Sequence, residues 1–137
     1  MSEPEETVRE FLRRRGCPDT VVARGLSGLL ESWERTVEAV GRGYPYGLDD
    51  YLNDLDGRQL IADAWGAASD LERARIGARL AAADDKLRAL TELRPYCLWG
   101  ADVATYHGWS SEKNWWYWSV PRQPGEELAA DLEVGPA

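Results

Sequence analysis

One histidine, one phenylalanine, one methionine and two cysteines are all that 137 residues contain of these types, and each scarcity narrows what the chain can do. A His/Cys zinc site would have to be built from His107, Cys17 and Cys97, which show no metal-ligand spacing, so no metal and no cofactor are expected. The two thiols lie far apart in sequence and are expected to be free in a reducing compartment. A Cys97–His107 nucleophile pair is conceivable because both lie in one short segment, but no neighbouring residue supplies an orienting group. No apolar stretch approaches the ~20 residues that span a bilayer. The start, MSEPEETVREF, is acidic and lacks the basic-then-apolar layout of a leader. The expectation is a cytoplasmic protein, bacterial in style from its Arg, Ala and Gly richness, with no membrane partner.

Basic residues are also short: 16 Lys and Arg stand against 24 Asp and Glu, a net charge of −8. A direct nucleic-acid binder wants a basic stripe, and there is none. The excess is concentrated. Residues 44–69 hold five Asp against one Arg, and residues 122–137 hold four acids against one Arg, whereas 1–43 and 70–121 are close to balance. Such a field calls for a positively charged partner.

What is present reads mainly as helix. Ser2 with Glu5 forms a capping-box signature for a helix over 2–15, stopped by Gly16 and Pro18. Val22, Leu26, Leu29, Trp33, Val37 and Val40 recur at three- and four-residue steps and predict a helix over 19–41, locally weakened at Gly25 and Gly28. In 48-LDDYLNDLDGRQLIADAW-65, Leu48, Tyr51, Leu52 and Leu55 share one face, and Asp49, Asp50, Asn53, Asp54 and Asp56 the other. Leu60, Ile61, Ala64 and Trp65 point in another direction, so the pattern predicts a break at Asp56-Gly57, with Asp56 capping a second helix. Ser69 with Glu72 opens a further helix running to about Leu93 before Pro95, with Asp84 and Arg88 as an i,i+4 pair.

Beyond Pro95 two aromatic runs of strand length, 96-YCLW-99 and 115-WWYWSV-120, predict a two-stranded ribbon, with a short helix over 101–108 between them. On a strand, Trp115 and Tyr117 would face one way and Trp116 and Trp118 the other, so one face would cap the core and the other would need a partner. The expected fold is thus mainly α: about five helices with a small β-ribbon at about 96–120, forming one domain over 1–121. An acidic, mobile tail over 122–137 follows, with a turn of helix around Leu128 and Leu132.

Acid–base candidates are scattered: Asp49, Asp54, Asp84, Asp102, Tyr106, His107 and Glu112 include no pair whose spacing forces proximity, and no catalytic residue is assigned. The D-D-x-x-N-D-x-D run lacks the spacing of a calcium loop. The acidic face and the aromatics point instead to an interaction module. Asp49, Asp50, Asn53, Asp54 and Asp56 would steer a basic partner, such as a nucleic-acid-binding protein or a toxin, and Trp115, Trp116, Tyr117 and Trp118 would anchor it. The layout is similar in general character to bacterial immunity, antitoxin or inhibitor proteins, a likeness of type that carries no residue across. The alternative is a small-molecule pocket around Tyr44, Tyr46, Trp99 and His107.

Overall fold

The chain turns helical at Val8, where the Thr7 hydroxyl accepts the amide of Glu10 over 3.2 Å. The expected Ser2–Glu5 box lies outside residues 6–134, which are those the computed structural model describes. Among them are six helices: α1 (Val8–Arg14), α2 (Asp19–Gly41), α3 (Leu48–Ala64), α4 (Asp70–Leu90), α5 (Ala101–His107) and α6 (Glu126–Val134). An antiparallel pair, β1 (Thr91–Leu93) and β2 (Ser119–Pro121), completes the fold. The protein is mainly α with a small ribbon in its C-terminal third. No helix of the described residues is long and apolar enough to cross a membrane.

The core is the space between α2, α3 and α4, closed at one end by α1 and at the other by the ribbon and α6. The predicted stripe of α2 is buried as expected, from Val22 to Val40, with Trp33 only 1% exposed. The helix is not continuous: Gly25 adopts φ 63° and ψ −153°, a conformation essentially closed to L side chains, which kinks the rod. Ser69 and Glu72 form the predicted capping box of α4, each side chain bonded to the other residue's amide at 3.1 Å.

The predicted break at Asp56-Gly57 does not exist. α3 runs unbroken from Leu48 to Ala64, because Arg58 belongs to its buried face and joins the two apolar sets into one stripe: Tyr51, Leu55, Arg58, Ile61. An arginine tolerates that position because it meets a buried carboxylate. Its Nε donates to Asp84 Oδ1 and its NH2 to Asp84 Oδ2, both at 3.0 Å, and Trp33 Nε1 donates to the same Oδ1 at 3.0 Å. The expected Asp84–Arg88 pair is accordingly not made; Arg88 lies beside Asp85 and over the ring of Trp115 instead.

The ribbon is also displaced from its expected strands. α4 ends at Leu90, and the extended run is Thr91–Leu93, antiparallel to Ser119–Pro121 with Glu92 opposite Val120. Pro95 explains this: the residue before a proline is pushed to extended backbone, so the strand reads backward from Arg94. The amide of Arg94 donates to Trp118 O and that of Arg122 to Leu90 O, which extends the ladder at both ends.

Residues 126–134 form a helix, longer than the expected turn, and Leu128 is fully buried. Gly125 lets it dock: a Cβ there would stand 2.4 Å from the carbonyl oxygen of Tyr44, whose bond to the Gly125 amide fastens the segment. Asp131 of α6 then accepts the amide of Leu48 at 2.8 Å and caps α3 from outside its own chain segment.

Candidate functional site

The outer face of α3 carries Asp49, Asn53, Asp56, Leu60 and Asp63 at three- and four-residue steps, a single ridge along the helix. A groove runs on each side. One, about 820 Å³, lies against α2 and the 44–46 loop and includes Trp33, Thr36, Tyr44, Tyr46, Asn53 and Asp54. The other, about 960 Å³, lies against α1, α5 and the loop after it, and includes Gln59, Asp63, Trp99, His107, Trp109 and Tyr117. Asp56, Leu60 and Cys17 border both.

Each groove contains a phenol–carboxylate pair of similar build. Tyr44 OH donates to Asp54 Oδ2 and Tyr117 OH to Asp56 Oδ1, both at 2.6 Å. Burial and the neighbouring carboxylate push both phenols above their ordinary range. Burial raises Asp54 as well; the Tyr44 hydrogen bond opposes this, and the nearby charge of Asp50 adds to it. Asp56 Oδ1 also accepts Trp99 Nε1 at 3.1 Å, so one oxygen holds two aromatic residues in place.

The structure therefore divides the predicted acidic face. Asp49, Asp50 and Asn53 are exposed, while Asp54 and Asp56 are partly buried and committed to tyrosines. It also divides the predicted ligand pocket. Tyr44 and Tyr46 line the first groove, Trp99 and His107 the second, with the α3 ridge between them.

The run 115–118 is not a strand but a 3₁₀ turn, so its side chains point in three directions instead of two. Asn114 fixes the turn: its carbonyl accepts the Tyr117 amide at 3.0 Å, its Oδ1 accepts the Ser110 amide, and its Nδ2 donates to Gln59. Trp115 meets Arg88 of α4, Trp116 lies under Arg58 of α3 with 4.3 Å from guanidinium to ring, and Tyr117 reaches Asp56. All three are buried, and Trp118 is half-buried. They are core residues, and the expected solvent-facing aromatic strand face is not formed. The indole N–H of Trp116 is buried without an acceptor.

The exposed aromatics are others: Tyr46, Trp99 and Tyr106. Beside Trp99, the rings of His107, Trp109 and Tyr117 stack in sequence, with centroids 4.5 and 4.0 Å apart, so both faces of Trp109 are covered. Trp109 itself has no periodic neighbour in the sequence that would single it out. Cys97 is buried and its thiol is pushed up by burial, the reverse of what a thiolate nucleophile needs. No group of three His, Cys, Asp or Glu among the described residues could hold a metal ion.

Much of the acidic charge here has no cation beside it among the described residues, as is also true of Glu10, Asp19, Glu38, Asp102 and Glu112 elsewhere. Among the described residues Asp63, Asp70, Asp84, Asp85, Glu31, Glu34 and Glu92 each have an arginine partner. Asp49, Asp50, Asp54 and Asp56 on α3, and Glu127 and Asp131 on α6, have none. The two acidic segments of the sequence meet in space, since a Cβ at Gly47 would lie within 3 Å of both the Glu127 and Asp131 carboxylates. Searches of protein-family models, curated proteins and solved structures found no match to this chain.

Proposed function

We propose that the chain is a protein-interaction module that binds, and neutralises or regulates, a basic partner through the α3 ridge. The observation that carries this reading is the gathering of cation-free carboxylates from α3 and α6 at one end of the molecule. Part of that charge is accounted for locally, because Asp131, Asp49 and Asp50 complement the N-terminal dipole of α3. Asp54 and Asp56 lie beyond the first turn and owe nothing to the dipole. Exposed acids at the ridge would steer association, and Tyr46 and Trp99 on its two flanks would supply contact area. A cytoplasmic setting fits the free thiols of Cys17 and Cys97. An inhibitor, antitoxin or immunity role is the kind of task such a surface suits.

Two steps test the proposal. Capture from a host extract at low ionic strength identifies binders, and association rates of a purified binder are then measured against a D49K/D50K variant. The expected binder is basic, associates more slowly with the variant, and shows a flatter salt dependence with it. An association rate that ignores the charge reversal overturns the reading.

A further inference from the structure

We infer that the groove between α3 and α5 is a receptor for one guanidinium group, an arginine side chain of the partner, held between Asp56 and Trp99. The step rests on α3 being the docking face and names the group that is read there.

Asp56 is half-satisfied. Its Oδ1 takes both neutral donors, Tyr117 OH and Trp99 Nε1, while Oδ2 accepts no hydrogen bond and meets no cation among the described residues. An ionised carboxylate has about four acceptor positions, so Asp56, which lines this groove, keeps positions open to a charged donor. The carboxylate is also partly pre-oriented, because a buried phenol and an indole edge hold its Oδ1 before any partner arrives. That removes part of the ordering cost of binding.

Trp99 is 39% exposed and uses its edge, not its face, to reach Asp56. No ring among the described residues stacks on it, in contrast to Trp109, enclosed between His107 and Tyr117. Trp99 and Asp56 line the same groove, so a planar cation bound to Asp56 there has this ring as its neighbour. Guanidinium suits the place better than ammonium, since it is flat, weakly hydrated and able to bond a carboxylate while stacking on an indole. Leu60 and Val103 in the same groove offer apolar surface to the methylene stem. The groove holds two cations of its own. Arg15 is spent on Asp63 at 3.1 Å, and Lys113 sits exposed in the lining, where solvent weakens its opposition to an incoming charge.

The test uses a capped Gly-Arg-Gly peptide and its citrulline counterpart, which has the same shape without the charge. Binding to the full chain is followed through the indole N–H resonance of Trp99. The arginine peptide is expected to shift that signal saturably and the citrulline peptide to bind about 10-fold more weakly or worse. Asp56→Asn keeps an acceptor oxygen for Tyr117 and Trp99 and should lose a similar factor, and Trp99→Ala, which lacks the reporter and is read by titration calorimetry, should weaken binding as well. Lys113→Ala should tighten it. Equal binding of the two peptides, or the absence of a saturable shift at Trp99, overturns the inference whether or not the variants fold. Should the peptides fail while a basic partner still responds to D49K/D50K, the receptor is wrong and the docking face stands.

Discussion

Arg58 and Asp84, 26 residues apart in sequence, form a two-pronged ion pair with both bonds at 3.0 Å, and each side chain is 11% exposed. Removing one partner leaves the other charge buried. Arg58→Ala is therefore expected to cost about 3–5 kcal/mol of unfolding free energy. Arg58→Met combined with Asp84→Leu should recover much of that loss, since the desolvation penalty goes with the charges, although Trp33 Nε1 loses its acceptor. Urea unfolding of Arg58→Ala and of the double variant measures both, and a double variant no more stable than Arg58→Ala would show that the pair is not coupled.

Arg58 also shows why the sequence misled at α3. A charged residue between Leu55 and Ile61 reads as a gap in an apolar stripe, so two half-stripes suggested two helices. Nothing local announces that Asp84 will be opposite, because their pairing depends on how α3 and α4 pack. The same holds for 115-WWY-117: alternation on a strand was the natural inference from aromatic content, but the Asn114 carbonyl accepts the Tyr117 amide and closes a tighter turn. Signals contained within a single helix were legible, namely the Ser69–Glu72 box, the α2 stripe, and the helix ending at Gly108. Of the candidate site, the acids of α3 were visible by periodicity. Their commitment to Tyr44 and Tyr117, and the approach of α6, required the third dimension.

A Cβ at Gly25 would meet no atom within 4 Å, yet its φ of 63° with ψ −153° makes substitution costly for conformational reasons alone. Gly25→Ala is expected to destabilise the fold by about 1–3 kcal/mol. An alanine scan of α2 read by thermal midpoints places it against Ala at exposed Ser27, where the effect should be small. A stability at Gly25→Ala equal to the parent would mean the kink is not held.

Tyr44, Tyr51 and Tyr117 are almost wholly buried, and burial pushes each phenol above its ordinary value of 10.0. In the unfolded chain they lose their protons near that ordinary value, while the folded state retains them. Below that pH both states are protonated and these groups leave stability unchanged. Above it the unfolded state binds fewer protons, so each tyrosine lowers stability by roughly 1.4 kcal/mol per pH unit. Alkaline unfolding followed by phenolate absorbance should show these three ionising together with the loss of structure. Independent titration in the folded protein would contradict their burial.

Asp54 is raised by its burial, so its folded carboxyl holds a proton to higher pH than the unfolded one. The contribution of this group is fully present below the unfolded carboxylate range and is lost as pH rises through the folded value, which makes the ionised Asp54 a net cost at neutral pH. Asp54→Asn keeps an oxygen for the Tyr44 phenol and removes the charge. It is expected to be at least as stable as the parent at pH 7 and to lose its advantage at low pH. Thermal midpoints across that range decide it. Its association with a basic binder should slow at the same time, because the charge that costs stability is the one left facing the groove. A variant that gains stability without losing association would remove Asp54 from the docking face and leave the exposed Asp49 and Asp50 to carry the steering.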